Sequence, residues 1–233
     1  MLLLPAANCL VSNDYYCPAF FTNSFRRHDI LTDLSEHVSL VARSVVLALL
    51  IAVPLALLVR RSPWARAVAI GVTGLLYTIP SVAAFALLLP FLGPQHDTAV
   101  VIVLTAYALL IVLRNVLVGL DGVPPETVEA ARGMGMGRAR IIMRVELPLA
   151  LPAIVAGVRI ATVSTIGIAA IAAVIGYGGL GQLLLEGQQA HPQLHAEIAT
   201  ALVLTVALAV VADVLLLLLQ RVLTRWQRLG RAG

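Results

Sequence analysis

Residues 129–148 read EAARGMGMGRARIIMRVELP, a charged, glycine-punctuated island between long apolar runs. Just before it, Val123-Pro124-Pro125-Glu126 opens a short helix, because proline suits the first helical position and an early acid complements the helix dipole. Ala130 and Ala131 keep that helix slim. Gly133, Gly135 and Gly137 allow a sharp turn through backbone angles that other residues avoid. Arg138 to Arg144 then reads as a second helical piece that ends at Leu147-Pro148. The expected product is a compact knuckle of helix, turn and helix.

What flanks the knuckle sets the fold class. With 233 residues, 60% of them hydrophobic and 12% charged, the chain is far too apolar for a soluble domain and reads as an all-α integral membrane protein. About five spans can be drawn. The first runs from Val38 to Val59, with Arg43 near its outer end and Pro54 as a kink. The second, Ala67 to Leu92, is interrupted at Tyr77-Thr78-Ile79-Pro80-Ser81. The third, Thr98 to Leu120, carries Arg114 near its inner end. The fourth, Leu149 to Ile175, holds Arg159, and the fifth, Ala196 to Leu219, holds Asp213. The knuckle therefore lies between spans three and four.

The chain has no lysine; its Lys and Arg total of sixteen is all arginine. Setting aside Arg43, Arg114 and Arg159 within spans, eleven arginines fall on one side of this topology and only Arg26 and Arg27 on the other. Positive-inside placement then puts the N-terminus outside, the C-terminus inside and the knuckle in the cytosol. The expected organisation is an extracytoplasmic tail over 1–36, a transmembrane domain over 37–222 with a cytoplasmic loop at 121–148, and a basic cytoplasmic tail over 223–233. The opening Met1-Leu2-Leu3-Leu4 lacks a basic leader and a long apolar core, so it reads as part of the mature protein. Cys9 and Cys17 both lie in the outer tail, where an oxidising compartment permits a disulfide; two free thiols are the alternative.

Several polar groups sit at membrane depth. Pro80 between hydroxyl residues breaks a helical ladder, which a bilayer tolerates only where protein or a water-filled lane satisfies the freed groups. Tyr77, Thr78 and Ser81 are therefore candidates to line a pathway, and a packed kink is the competing reading. Thr162, Ser164 and Thr165 form a second candidate group among small residues suited to close helix packing. Arg159 lies about 16 Å along its helix from Pro148, and Asp213 about 12 Å from Arg221. Their similar depth points to an ion pair, with Arg114 as a rival partner for the acid.

Other chemistries find little support. Without lysine there is no GK[ST] phosphate-binding loop. Gly176-Tyr177-Gly178-Gly179-Leu180-Gly181 matches GxGxxG, but membrane helices precede and follow it, so it reads as a glycine hinge leading into a re-entrant or interfacial helix. No zinc-ligand spacing, serine elbow or paired carboxylates occur, and no metal site is expected. Arginines at the ends of apolar runs do not form a nucleic-acid stripe. An intramembrane enzyme using Asp213 or a histidine is the remaining outside-class reading.

The knuckle resembles the EAA loop of ABC-importer permeases: Glu129-Ala130-Ala131, three residues, Gly135, nine residues, Val145 where Ile is usual, one residue, then Leu147-Pro148. The stretches RNVLVGLDGVPPETVEAARGMGMG and IGYGGLGQLLLEG, with YTIPSVA, resemble the osmoprotectant branch, which imports glycine betaine, choline, carnitine or proline betaine. The resemblance implies a multi-pass permease of the bacterial inner membrane whose EAA helix, through Glu129, Ala130, Ala131, Gly135, Leu147 and Pro148, couples to an ATPase. It also implies the partners: two ABC ATPase subunits that hold ATP and magnesium, a second permease chain, identical or related, and an extracytoplasmic solute-binding protein. This chain would carry no cofactor of its own. A methionine-type amino-acid importer shares the five-span core and is the alternative.

Overall fold

The computed structural model describes residues 30–92, 97–177, 179–189 and 195–224. All regular elements among the described residues are helical. α1 spans Ile30–Val59, α2 Pro63–Thr78, α3 Ser81–Leu92, α4 Thr98–Asp121 and α5 Pro125–Gly133. A short α6, Arg138–Ile141, passes through a π-helical segment, Ile142–Glu146, into α7, Leu147–Ala169. A 3-10 segment, Ala170–Ile175, then leads to α8, Leu180–Gln189, and α9, His195–Leu223. Four helical stretches are long and apolar enough to cross a bilayer, and the bent pair α2 and α3 makes a fifth if counted as one span.

Local chemistry accounts for the breaks. A residue before proline is pushed out of the helical region, so α2 ends at Thr78 and Ile79-Pro80 stands between it and α3. Thr78 Oγ1 donates to the Leu75 carbonyl at 2.7 Å, and the Pro80 carbonyl accepts from the Ala84 N–H at 2.9 Å, opening α3. α1 begins eight residues ahead of the apolar run at Val38, with Asp33 in its first turn favouring the helix N-terminus.

The expected stop at Leu147-Pro148 is absent. Helix continues through Pro148 because the chain widens just before it: the Leu147 N–H reaches back five residues to the Ile142 carbonyl. That wider turn relieves the clash a proline ring makes with the carbonyl four residues earlier. The knuckle and the fourth span thus form one helical run, Arg138–Ala173.

The chain divides into two compact units. Among the described residues, the first comprises 30–44, 79–104 and 164–211. It holds a small core of Ile30, Leu183 and Ala201, joined by Leu184 and Leu204, and encloses Phe85 completely. Three of its glycines are structural. Gly176 and Gly179 take positive φ, and at Gly181 a Cβ would lie 2.0 Å from the Ala170 carbonyl oxygen, so α8 can lie against the 3-10 segment only without a side chain there. His37 is fully buried, and its Nε2 hydrogen-bonds the Ile166 carbonyl at 3.1 Å.

The second unit comprises 45–78, 105–163 and 212–224. Ala48, Ala52 and Ala56, recurring every four residues on α1, pack with Leu113, Val116 and Leu117 of α4 and with Ala150, Ile154 and Ala161 of α7. Lipid is as apolar as leucine, so such small residues work by letting backbones approach and make dispersion contacts. The same logic holds at Gly157, where a Cβ would stand 2.4 Å from that of Asn115, and at Gly119, where it would stand 2.8 Å from the Ala150 carbonyl oxygen. α9, whose residues are shared between the two units, is the opposite case. None of its most apolar window is buried, and Leu202, Val206, Val210 and Leu218 are exposed, as suits a helix bathed in lipid.

Candidate functional site

The knuckle lies wholly in the second unit. Pro124 caps α5, Pro125 occupies its first turn, and Glu126 places a negative charge beside the free N–H groups. At the other end the Met136 N–H bonds the Ala131 carbonyl at 3.2 Å and the Gly135 N–H bonds the Arg132 carbonyl at 3.0 Å. With Gly135 at φ 77, these two bonds form a Schellman cap in which Gly135 is the left-handed residue. The chain then re-enters helix from Gly137, whose carbonyl accepts the Ile141 N–H at 3.0 Å.

This geometry decides which residues face outward. Ala131 is the buried residue of α5, whereas Glu129, Ala130, Arg132, Gly133, Met134 and Gly135 are exposed. Leu147 is half-buried and packs against the core, and Pro148 is exposed. A contiguous outward face with an acid, an apolar methionine and small residues can seat in a complementary cleft.

Buried ion pairing holds the knuckle in place. Arg60, just past the end of α1, donates to Glu146 Oε2 at 2.6 Å, with side chains only 12% and 10% exposed. Arg66 of α2 meets Asp121, the last residue of α4, also at 2.6 Å. In the first unit Arg43 is paired with Asp97 at 2.6 Å. Sequence reasoning singled out none of these pairs. Only the appearance of each acid at the end of an apolar run hints at them.

Deeper in the second unit, Arg159 donates through Nε at 3.0 Å and Nη2 at 2.8 Å to Asp213 Oδ1, and through Nη2 to Oδ2 at 2.9 Å. Arg159 Nη1 also donates to Gln220 Oε1 at 3.3 Å, and Gln220 Nε2 donates to the Pro152 carbonyl at 3.1 Å. The chain of bonds ties α7 to α9. Arg114 is exposed and makes no ion pair or side-chain hydrogen bond with a described residue.

The pathway candidates are split between the units, with Tyr77, Thr78 and Thr162 in the second and Ser81, Ser164 and Thr165 in the first. Tyr77 is exposed and its ring lies 5.4 Å from that of Tyr107. Thr162 Oγ1 donates to the Val158 carbonyl at 2.8 Å, and Ser81 and Ser164 are half-buried. Thr165 is fully buried. Cys9 and Cys17 lie outside the described residues. Among the described residues no group of histidine, cysteine and carboxylate side chains could hold a metal ion.

The family described as "Binding-protein-dependent transport system inner membrane component" matches residues 44–229, which include the whole knuckle, Arg159 and Asp213. The chain belongs to this family. This inner membrane component is 45% identical over 193 residues to the osmoprotectant import permease protein OsmW of Salmonella typhimurium, covering 81% of this chain and 89% of that one. To the choline transport system permease protein OpuBB of Bacillus subtilis it is 37% identical over 196 residues, covering 84% and 89%. The carnitine transport permease protein OpuCB of Listeria monocytogenes matches at 39% over 160 residues, 69% of this chain and 73% of that one. In three dimensions the inner membrane component is similar to a chain of the inward-facing MetNI methionine ABC transporter, with a TM-score of 0.73 over 84% of this chain and 96% of that chain. At 24% identity that likeness shows the fold alone. These relatives are transport permeases, and the chain is a multi-pass transport subunit, not an enzyme.

Proposed function

We propose that this inner membrane component is the permease subunit of an ATP-driven importer for osmoprotectants of the glycine betaine, choline and carnitine class. The observation that carries the coupling half of the reading is the knuckle: a Schellman-capped turn at Gly135 that holds Glu129, Ala130, Arg132, Gly133 and Met134 outward on a chain otherwise built for lipid. The solute class is supported by the names of relatives 37–45% identical over most of their length.

In this reading two permease chains, identical or closely related, flank the solute lane, with N-termini outside and C-termini in the cytosol. Two ATPase chains hold ATP and magnesium and receive the outward residues Glu129, Ala130 and Gly135 of each knuckle, with Ala131 packed behind them. Because α6, the π segment and α7 form one helical run, a displacement of the knuckle is delivered directly to the helix that carries Arg159. The spans then alternate between outward and inward access. A solute-binding protein delivers the solute and supplies the aromatic selectivity for its quaternary ammonium group, since this chain is only 5% aromatic.

Uptake of labelled glycine betaine, choline and methionine in cells lacking their own importers, with the partner subunits co-expressed, tests the proposal. Accumulation of a quaternary ammonium solute is expected. Methionine uptake without it would replace this reading by the amino-acid importer.

A further inference from the structure

A cavity of about 260 Å³ lies between the end of α1 and the knuckle, and its wall gathers Arg60, Arg61, Arg132 and Arg138 against a single carboxylate, Glu146. These arginines come from three separate elements. Among the described residues only Arg60 of these four has a carboxylate partner, Glu146 at 2.6 Å. Arg61, Arg132 and Arg138 are exposed, and none of them makes an ion pair or side-chain hydrogen bond with another described residue. Three uncompensated guanidinium groups around one cavity repel each other unless an anion enters, and the planar fork of arginine suits phosphate oxygens.

The rest of the cavity tells which phosphate. Val128, Met136 and Ile142 give it an apolar wall, which a bare inorganic ion would not use. Its surroundings also bear the marks of a bilayer boundary. Leu58, two residues before Arg60, is 78% exposed at the end of an apolar helix, and Trp64, three residues after Arg61, is 77% exposed in the first turn of α2. Exposed tryptophan beside arginine at a span end is the usual anchor at headgroup level. Basic pockets between membrane helices at that level take acidic lipid headgroups.

We propose that this cavity binds the phosphate headgroup of an anionic phospholipid, which bridges the end of α1 to the coupling knuckle. The inference rests on the chain being a membrane protein and not on ATPase docking, so its test reads neither transport nor ATP hydrolysis.

The full chain, delipidated in mild detergent, would be offered phosphatidylglycerol or phosphatidylcholine at equal concentration, and bound lipid counted by native mass spectrometry. Phosphatidylglycerol is expected to be retained about tenfold or more in preference, as several basic contacts to an acidic headgroup imply. The triple variant Arg61→Gln, Arg132→Gln, Arg138→Gln should lose that preference. A charge-matched control, Arg140→Gln, Arg144→Gln, Arg221→Gln, whose residues neither line the cavity nor pair with a described residue, should keep it. Gel filtration and thermal melting establish that each variant is folded, and if the triple variant is not, Arg132→Gln alone should lower the preference about fivefold. Preference that survives the lining variants, or falls equally in the control, overturns the site. Displacement of the lipid by inorganic phosphate would mean a free-anion site and overturns the lipid assignment.

Discussion

Arg159 and Asp213, 54 residues apart in sequence, meet face to face in the second unit, with three hydrogen bonds of 2.8 to 3.0 Å between one guanidinium and one carboxylate. Their side chains are 23% and 39% exposed, so neither is sealed from its surroundings. At membrane depth an orphaned charge keeps its desolvation cost, whereas removing both charges leaves an apolar contact.

The consequence is a non-additive mutant cycle. Arg159→Met and Asp213→Leu should each destabilise the detergent-purified chain by roughly 1–3 kcal/mol, below the ~3–5 kcal/mol of a fully buried pair. The double variant should melt above at least one of the single ones. Strictly additive shifts in melting temperature would show that the two residues do not interact.

At Gly135 the demand is conformational. A Cβ there would meet nothing within 4 Å, but φ is 77 and a side chain in that region costs about 1–2 kcal/mol, more when β-branched. Gly135→Val is expected to leave the protein in the membrane at normal abundance and abolish solute uptake. Normal uptake at equal abundance would argue against a coupling role for this turn.

Gly181 presents the reverse case, where the demand is steric. Gly181→Ala puts its Cβ against the Ala170 carbonyl oxygen and should cost roughly 1–3 kcal/mol. Gly74→Ala, on an open face of α2, meets nothing and should be neutral or gain up to about 1 kcal/mol from helix propensity. Melting curves of the two variants side by side are the check, with equal shifts counting against the packing described for α8.

The Arg60–Glu146 pair is the more enclosed strut. Glu146→Leu leaves Arg60 buried without its partner and should cost about 3–5 kcal/mol, while the exchange Arg60→Glu with Glu146→Arg should recover part of it. Recovery can be followed as folded yield after extraction. An exchange variant no better than Glu146→Leu would mean that the cavity wall tolerates arginine in only one orientation.

Membrane class, the number of spans and the break at Ile79-Pro80 are properties of composition and of proline covalent geometry, so the sequence alone determines them. The left-handed turn at Gly135 is nearly as local, because only glycine takes that angle without strain. Rise-per-residue arithmetic could also set Arg159 and Asp213 at similar depth, but their azimuths around two helices, which turn them toward each other, depend on packing. Long-range pairing is where sequence runs out. Nothing in spacing assigns Arg60 to Glu146, 86 residues away, or gathers Arg61, Arg132 and Arg138 about one cavity. The π-helical segment belongs to the same class: proline predicts a stop at Leu147-Pro148, and only the surrounding helices decide that the chain widens by one residue and continues. Local rules act through bonds and neighbouring residues, whereas these features arise from which helix faces meet, and that is settled by the sum of many small packing contacts.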